Sequence, residues 1–175
     1  MRGIVHANAS QSQKILLAQG MLNNCVILQS TDAAAIEQFE KTRLAQSSMD
    51  PFEAEMLSWN SPWRKESLDH YLPTGWCFGI WSDESRTKLT GYFLAQPLMF
   101  FDGLTQTFWI EYLTGETTKE IQDLILVATR LAREKHFQKA VFRDNESLHE
   151  SLVLFKAQPL QLGLVEILTS KMKAL

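Results

Sequence analysis

The sequence predicts a mixed α/β fold, a mainly antiparallel central sheet flanked by helices, and three observations carry that prediction. Short apolar and aromatic runs alternate with segments of helical spacing. Three consecutive runs, Trp76–Trp81, Leu89–Phe101 and Thr105–Leu113, are separated only by short polar turns, the pattern of an antiparallel meander. The longest helical segment follows them from Thr117. Its buried stripe is Ile121, Leu124, Ile125, Ala128, Leu131 and Ala132, while Asp123, Arg130, Arg133 and Glu134 face out.

The 175 residues suffice for one domain with a proper core. Residues 1–23, rich in Gln, Asn and Ser with a short helical stretch at Lys14–Met21, read as an N-terminal arm, and 24–175 as a single domain. Cys25–Ser30 is a compact apolar strand, closed by Thr31-Asp32, an N-cap pair for a weakly periodic helix. Next, Asp50 caps, Pro51 takes the first helical position, Glu53 completes a capping-box-like start, and Phe52, Met56 and Trp59 share one face. Trp59, like Trp63, Trp76, Trp81 and Trp109, is expected in the core rather than lining a pocket. Ser61-Pro62 repeats the start signal, and a second short helix runs to the stop at Pro73–Gly75.

Within the meander, Pro97 cannot donate to a ladder and is expected to bulge or end its strand. Asp102-Gly103 marks a hairpin turn. Lys139–Phe142 is a short buried strand, Asp144 or Asn145 caps another helix, and Leu162–Ser170 is the last strand. With the two short helices as one helical segment, the order is β-α-α-β-β-β-α-β-α-β. No long-period repeat is visible.

Several classes are excluded. A net charge of −3 gives no basic face for nucleic acid. Cys25 and Cys77 sit alone in apolar runs, as small core hydrophobes in a reducing compartment rather than metal ligands or a disulfide. No apolar run approaches the ~20 residues of a membrane span, and polar residues interrupt the N-terminus too often for a signal peptide. The expectation is a cytoplasmic protein without metal. Hydrolase chemistry lacks a G-x-S-x-G elbow.

From about Cys25 onward the order and segments resemble the GNAT (N-acetyltransferase) superfamily. "SPWRKESLDHYL" resembles the Pro-Trp-initiated second helix of GNATs that acetylate protein N-termini or ribosomal proteins. "LTGYFLAQP" resembles the third strand, and "RDNESLHESLVLF" the Asn-initiated fourth helix. "FWIEYL" resembles the fourth strand, which in the family splays from its neighbour and hydrogen-bonds the pantetheine arm of acetyl-CoA. The resemblance implies acetyl-CoA or CoA held by Ile110, Glu111, Tyr112 and Leu113, by Thr117, Thr118 and Lys119 at the helix start, and by Asn145. An amine would attack the thioester directly, helped by a base and an acid.

Three positions depart from the family pattern. The glycine- and arginine-bearing pyrophosphate loop is replaced by the shorter "TGETTKE". There Thr117 and Glu120 form a capping box, and only Lys119 offsets Glu116 and Glu120. The family's acid, a Tyr seven residues after the leading Asn, falls on Leu152. The fifth strand, "KAVFR", has no carboxylate for a base. Glu111 is then the candidate base, against a plain half-exposed strand residue; His149 is the second candidate, against a solvated helix-face histidine. His70-Tyr71 lies where family members admit substrate, with Tyr71 otherwise core beside Leu68 and Leu72.

Together the departures favour a GNAT-fold protein with weakened or lost acetyl-CoA binding, acting as an interaction or regulatory module with a protein partner or a second copy. The alternative is an active N-acetyltransferase, acting on a protein or small-molecule amine with a non-standard cofactor grip.

Overall fold

Phe78, Phe93 and Phe108 stand side by side on one face of a seven-stranded sheet, with ring centroids 5.5 and 6.4 Å apart. The sheet is seen in a computed structural model that describes residues 24–47, 50–59, 61–99, 103, 105–161 and 163–169. In chain order the elements are β1 (Cys25–Ile27), α1 (Ala33–Gln46), α2 (Pro51–Trp59), α3 (Lys65–Tyr71), β2 (Phe78–Trp81), β3 (Leu89–Met99) and β4 (Gln106–Gly115). Then come α4 (Thr118–Glu134), β5 (Lys139–Arg143), α5 (Glu146–Leu154), β6 (Gln158–Gln161) and β7 (Leu164–Leu168). The strands lie in the order β1-β2-β3-β4-β5-β7-β6. β4 and β5 are parallel, and the other pairs are antiparallel. The expected arm at 1–23, with its Lys14–Met21 stretch, lies outside the described residues, as does Asp102 of the expected turn.

Strand alternation sorts the side chains of β3. Phe93 and Ala95 join one core cluster under α4 and α5, where Ile121, Leu124, Ile125, Ala128, Leu131 and Ala132 are all buried as their spacing requires. Tyr92 and Leu94 point the other way, into a second cluster with Ile36 and Phe39 of α1 and with Leu68 and Tyr71 of α3. That second layer holds a buried carboxylate. Glu40 of α1 accepts from Arg43 Nε (2.9 Å) and Nη2 (2.8 Å), and Arg43 Nη2 also donates to Tyr112 Oη at 3.0 Å. A fully buried carboxylate is tolerable only when its oxygens are met in this way.

Four expectations are corrected. Pro97 neither ends nor bulges β3, because β2 covers only Leu89–Phe93 and, among the described residues, the far half of β3 pairs with β4 alone. The Ala95 carbonyl faces that open edge, approached by Cys77 Sγ at 3.8 Å. Pro97, two residues on, turns its nitrogen the same way, where no ladder bond is lost. Second, the Phe52/Met56/Trp59 face of α2 is exposed, with Phe52 at 66% and Trp59 at 63%. The other helices already fill both faces of the sheet, although Asp50 does cap α2, accepting from Phe52 N at 2.8 Å. Third, α3 begins at Lys65, after a turn at the Ser61-Pro62 signal. Last, an unanticipated strand, β6, forms a hairpin with β7 around Gly163, whose φ of 73° suits glycine.

Candidate functional site

β4 and β5 pair from Thr107–Lys139 to Ile110–Phe142 and then part. On its other side β4 slips against β3: Leu94 opposes Tyr112 while Ala95 opposes Ile110, so Glu111 is the extra residue of a bulge. A bulge re-aims the residue it carries. The parting and the bulge therefore coincide at Glu111. A cleft of about 240 Å³ opens there, lined by Ile110–Leu113 of β4, by Phe142 and Arg143 at the end of β5, by Asp144, Asn145 and Leu148 after it, and by Pro62.

Both oxygens of Glu111 are engaged. Arg143 Nη2 lies 2.9 Å from Oε1, and Trp109 Nε1 donates to Oε2 at 2.8 Å. The Arg143 guanidinium also sits over the Trp109 ring, 5.8 Å from its centroid. Glu111 is half-buried, its side chain 19% exposed, whereas Arg143 is 58% exposed at the mouth. Behind them, Gln96 Nε2 donates to Tyr71 Oη at 3.4 Å, and Gln96 Oε1 lies 3.1 Å from His70 Nε2. Tyr71 is buried, as the core reading expected. Burial first, then the charge of Glu111, pushes its phenol up to about 12.

Of the residues singled out in the sequence, Ile110, Glu111, Tyr112, Leu113 and Asn145 line the cleft. The Tyr112 side chain itself reaches toward α1, and Asn145 caps α5, accepting from Leu148 N at 3.1 Å. His149 is exposed and stands outside the lining; its Nδ1 lies 3.0 Å from Asp144 Oδ2. Leu152 is buried in the core.

The junction between β4 and α4 is closed on itself. β4 runs to Gly115, two residues beyond its expected end, so only Glu116 and Thr117 connect it to α4. Thr117 N donates to Glu120 Oε2 at 2.8 Å and Glu120 N donates to Thr117 Oγ1 at 3.3 Å, a complete capping box. Lys119 pairs with Asp123 and Glu116 with Lys88, each at 2.6 Å. Gly115 lies so close under the helix that a Cβ there would come within 3.0 Å of Glu120 Cβ. Thr117, Thr118 and Lys119 are not among the residues that line the cleft, and Thr117 borders a separate cavity of about 750 Å³ against α1.

Several solved structures share this fold. The chain is similar to an acetyltransferase of the GNAT family from Listeria monocytogenes, with TM-score 0.58 and 12% identity over 81% of this chain and 91% of that one. It is similar to a GCN5-related N-acetyltransferase from Ralstonia eutropha, with TM-score 0.58 and 15% identity over 78% and 93%. A PaiA N-acetyltransferase from Thermoplasma acidophilum, in complex with coenzyme A, matches with TM-score 0.57 and 11% identity over 81% and 94%.

The chain carries the GNAT fold. No protein-family model matches the sequence, and no curated protein does. Among the described residues no His/Cys/Asp/Glu group could hold a metal, and no helix is long and apolar enough to cross a membrane. Within this GNAT fold, sequence reasoning did not assign Arg143 of the cleft lining, and it read Trp109, whose indole holds Glu111, as core. The available signal was positional: Arg143 ends "KAVFR", opposite the Glu of "FWIEYL".

Proposed function

We propose that this chain is an acyl-CoA-dependent N-acetyltransferase that takes the pantetheine arm where β4 and β5 part. One observation carries the reading: the bulge places the single carboxylate of β4, Glu111, at the end of the parallel pairing, in the wall of the cleft. The cofactor fits this chain unevenly. Beyond Ile110 the β4 backbone has no β5 partner, so Glu111–Leu113 can meet an extended amide-bearing arm. At the start of α4 the capping box takes the Thr117 and Glu120 amides and leaves those of Thr118 and Lys119, a reduced grip for a pyrophosphate.

Bound acetyl-CoA supplies the thioester carbonyl that an amine attacks. Glu111 accepts the amine proton, held in place by Arg143 and the Trp109 indole. Ile110, Leu113, Phe142 and Leu148 give the cleft apolar walls that exclude water. The buried Leu152 means that α5 offers no acid at that position. The "SPWRKESLDHYL" segment, with Pro62 in the cleft wall, supports a relationship to the GNATs that acetylate protein N-termini or ribosomal proteins.

A second reading is a GNAT-fold interaction or regulatory module with weakened or lost acetyl-CoA binding. The self-closed α4 start favours it, since Lys119 and Lys88 are already committed to carboxylates of the chain. Thermal melting with acetyl-CoA and with CoA separates the two. Saturation at 100 times the dissociation constant adds ~2.7 kcal/mol of stability. A shift retained in Glu111→Gln, with transfer to amines lost, supports the enzyme; no shift with either ligand supports the module.

A further inference from the structure

The charges at the cleft mouth are a matched opposite pair. Glu111 and Arg143 face each other at 2.9 Å across the gap between β4 and β5, one residue beyond the last paired position on each strand. Arg143 commits Nη2 to Glu111 and its ring-facing side to Trp109. A guanidinium carries five N–H donors in a rigid fork, so its outer edge is left to the solvent side of the cleft, where the residue is 58% exposed. Such an edge recognises a carboxylate by two parallel hydrogen bonds. The carboxylate beside it attracts an ammonium. Asp144, the other acid of the lining, meets His149 through Oδ2, while its buried Oδ1 has no hydrogen-bond partner.

From this juxtaposition we infer that the acceptor is a zwitterionic amine of the α-amino-acid type. Its ammonium lies against Glu111 and its carboxylate on the outer edge of Arg143. An α-amino acid holds its two charges one carbon apart, so it can lay an opposite pair against this one with each charge facing its complement. Leu113, Phe142 and Leu148 then receive an apolar side chain. A polyamine fits poorly, because its second cation meets the exposed guanidinium of Arg143. An amine without a carboxylate leaves the Arg143 edge unused. Arg143 is then the specificity-determining residue. The inference rests on the acetyltransferase reading for its chemistry, but the binding can be measured without acetyl-CoA.

The test follows the Trp109 indole N–H by NMR while the full chain is titrated with glycine, L-leucine, L-leucinamide and spermidine. Its resonance is assigned with Trp109→Phe. L-leucine is expected to move that resonance, with leucinamide and spermidine at least tenfold weaker. Arg143→Gln should lose the preference for leucine over leucinamide, and Arg143→Lys should keep part of it. Two results overturn the inference: leucinamide or spermidine binding as well as leucine, or no amino acid perturbing Trp109. If acetyl-CoA still raises the melting temperature in that case, only the acceptor class falls. If leucine binds through Arg143 and no CoA species binds, the acetyltransferase reading falls and the zwitterion site stands.

Discussion

Tyr92 Oη donates to Glu40 Oε1 at 2.8 Å across the interface of β3 and α1, and the carboxylate it reaches has no solvent exposure. With Arg43 and Tyr112 this contact ties α1 to β3 and β4, the two strands on either side of the Glu111 bulge. Removing the phenol alone leaves a buried oxygen without its donor. Tyr92→Phe is therefore expected to destabilise the fold by about 1–3 kcal/mol. Urea unfolding checks this: the midpoint should fall with the slope unchanged. An unaltered midpoint would mean that water replaces the phenol.

The chain has three tyrosines, Tyr71 and Tyr92 buried and Tyr112 partly buried, each near an acid group. Desolvation, then Glu40, raises Tyr92 and Tyr112, while desolvation, then Glu111, takes Tyr71 to about 12. Each folded value exceeds the unfolded value of about 10, so the folded state holds its phenolic protons more tightly. The stabilisation is whole below pH about 10 and is lost as pH rises through the folded values. Phenolate absorbance near 295 nm should thus stay low between pH 10 and 11 and rise only as the circular dichroism signal collapses. A smooth titration of the folded protein near pH 10 would contradict it.

Both cysteines are buried, and burial pushes each thiol up to about 12. The thiolate is the nucleophile. Neither Cys25 nor Cys77 should react with Ellman's reagent at pH 8 in the native protein, and both should react in denaturant. Rapid native reaction of either would show local opening of the sheet around β1 and β2.

Glu120 serves the α4 cap and places a negative charge where a phosphate would approach. Glu120→Ala should lower stability by about 0.5–1 kcal/mol, because the reciprocal bond to Thr117 N is lost. It should also tighten CoA binding roughly fivefold, the amount that ~1 kcal/mol of relieved charge at a helix start represents. Calorimetric titration with CoA reads the second effect directly. Weaker binding would indicate that the cap is needed to shape the site.

Gly91 sits where β3, β4 and α4 converge, and a Cβ there would meet Thr114 O at 3.0 Å and Gly115 Cα at 3.1 Å. Both obstacles are backbone and cannot swing aside. Gly91→Ala should cost about 1–3 kcal/mol by overpacking, measured by thermal or urea unfolding. A neutral result would mean that the β3–β4 ladder has slack at its end.

How much of this could be read beforehand follows from where local pattern and tertiary context agree. The stripe of α4, the meander and the Asn145 cap were legible, because each is satisfied within a few residues of chain. The Thr117–Glu120 box was legible for the same reason. β6 was not: Pro159 and two glutamines conceal a strand that exists only through its pairing with β7. The exposure of Trp59 was also hidden, since its spacing on α2 is correct and only the fullness of the two layers keeps it outside. At the cleft, Glu111 was found by its strand, whereas its bulge position and its pairing with Arg143 depend on the register of three strands at once.

Pro97 has a consequence beyond tolerating the strand it occupies. Past Phe93, β3 has an edge that no strand of the described residues pairs with, and such an edge is a template on which another extended chain can add itself. On that edge Pro97 removes the donor such a newcomer would need. A second copy cannot extend the sheet there by continuous backbone pairing, so runaway strand-on-strand growth is checked at that edge by one missing hydrogen.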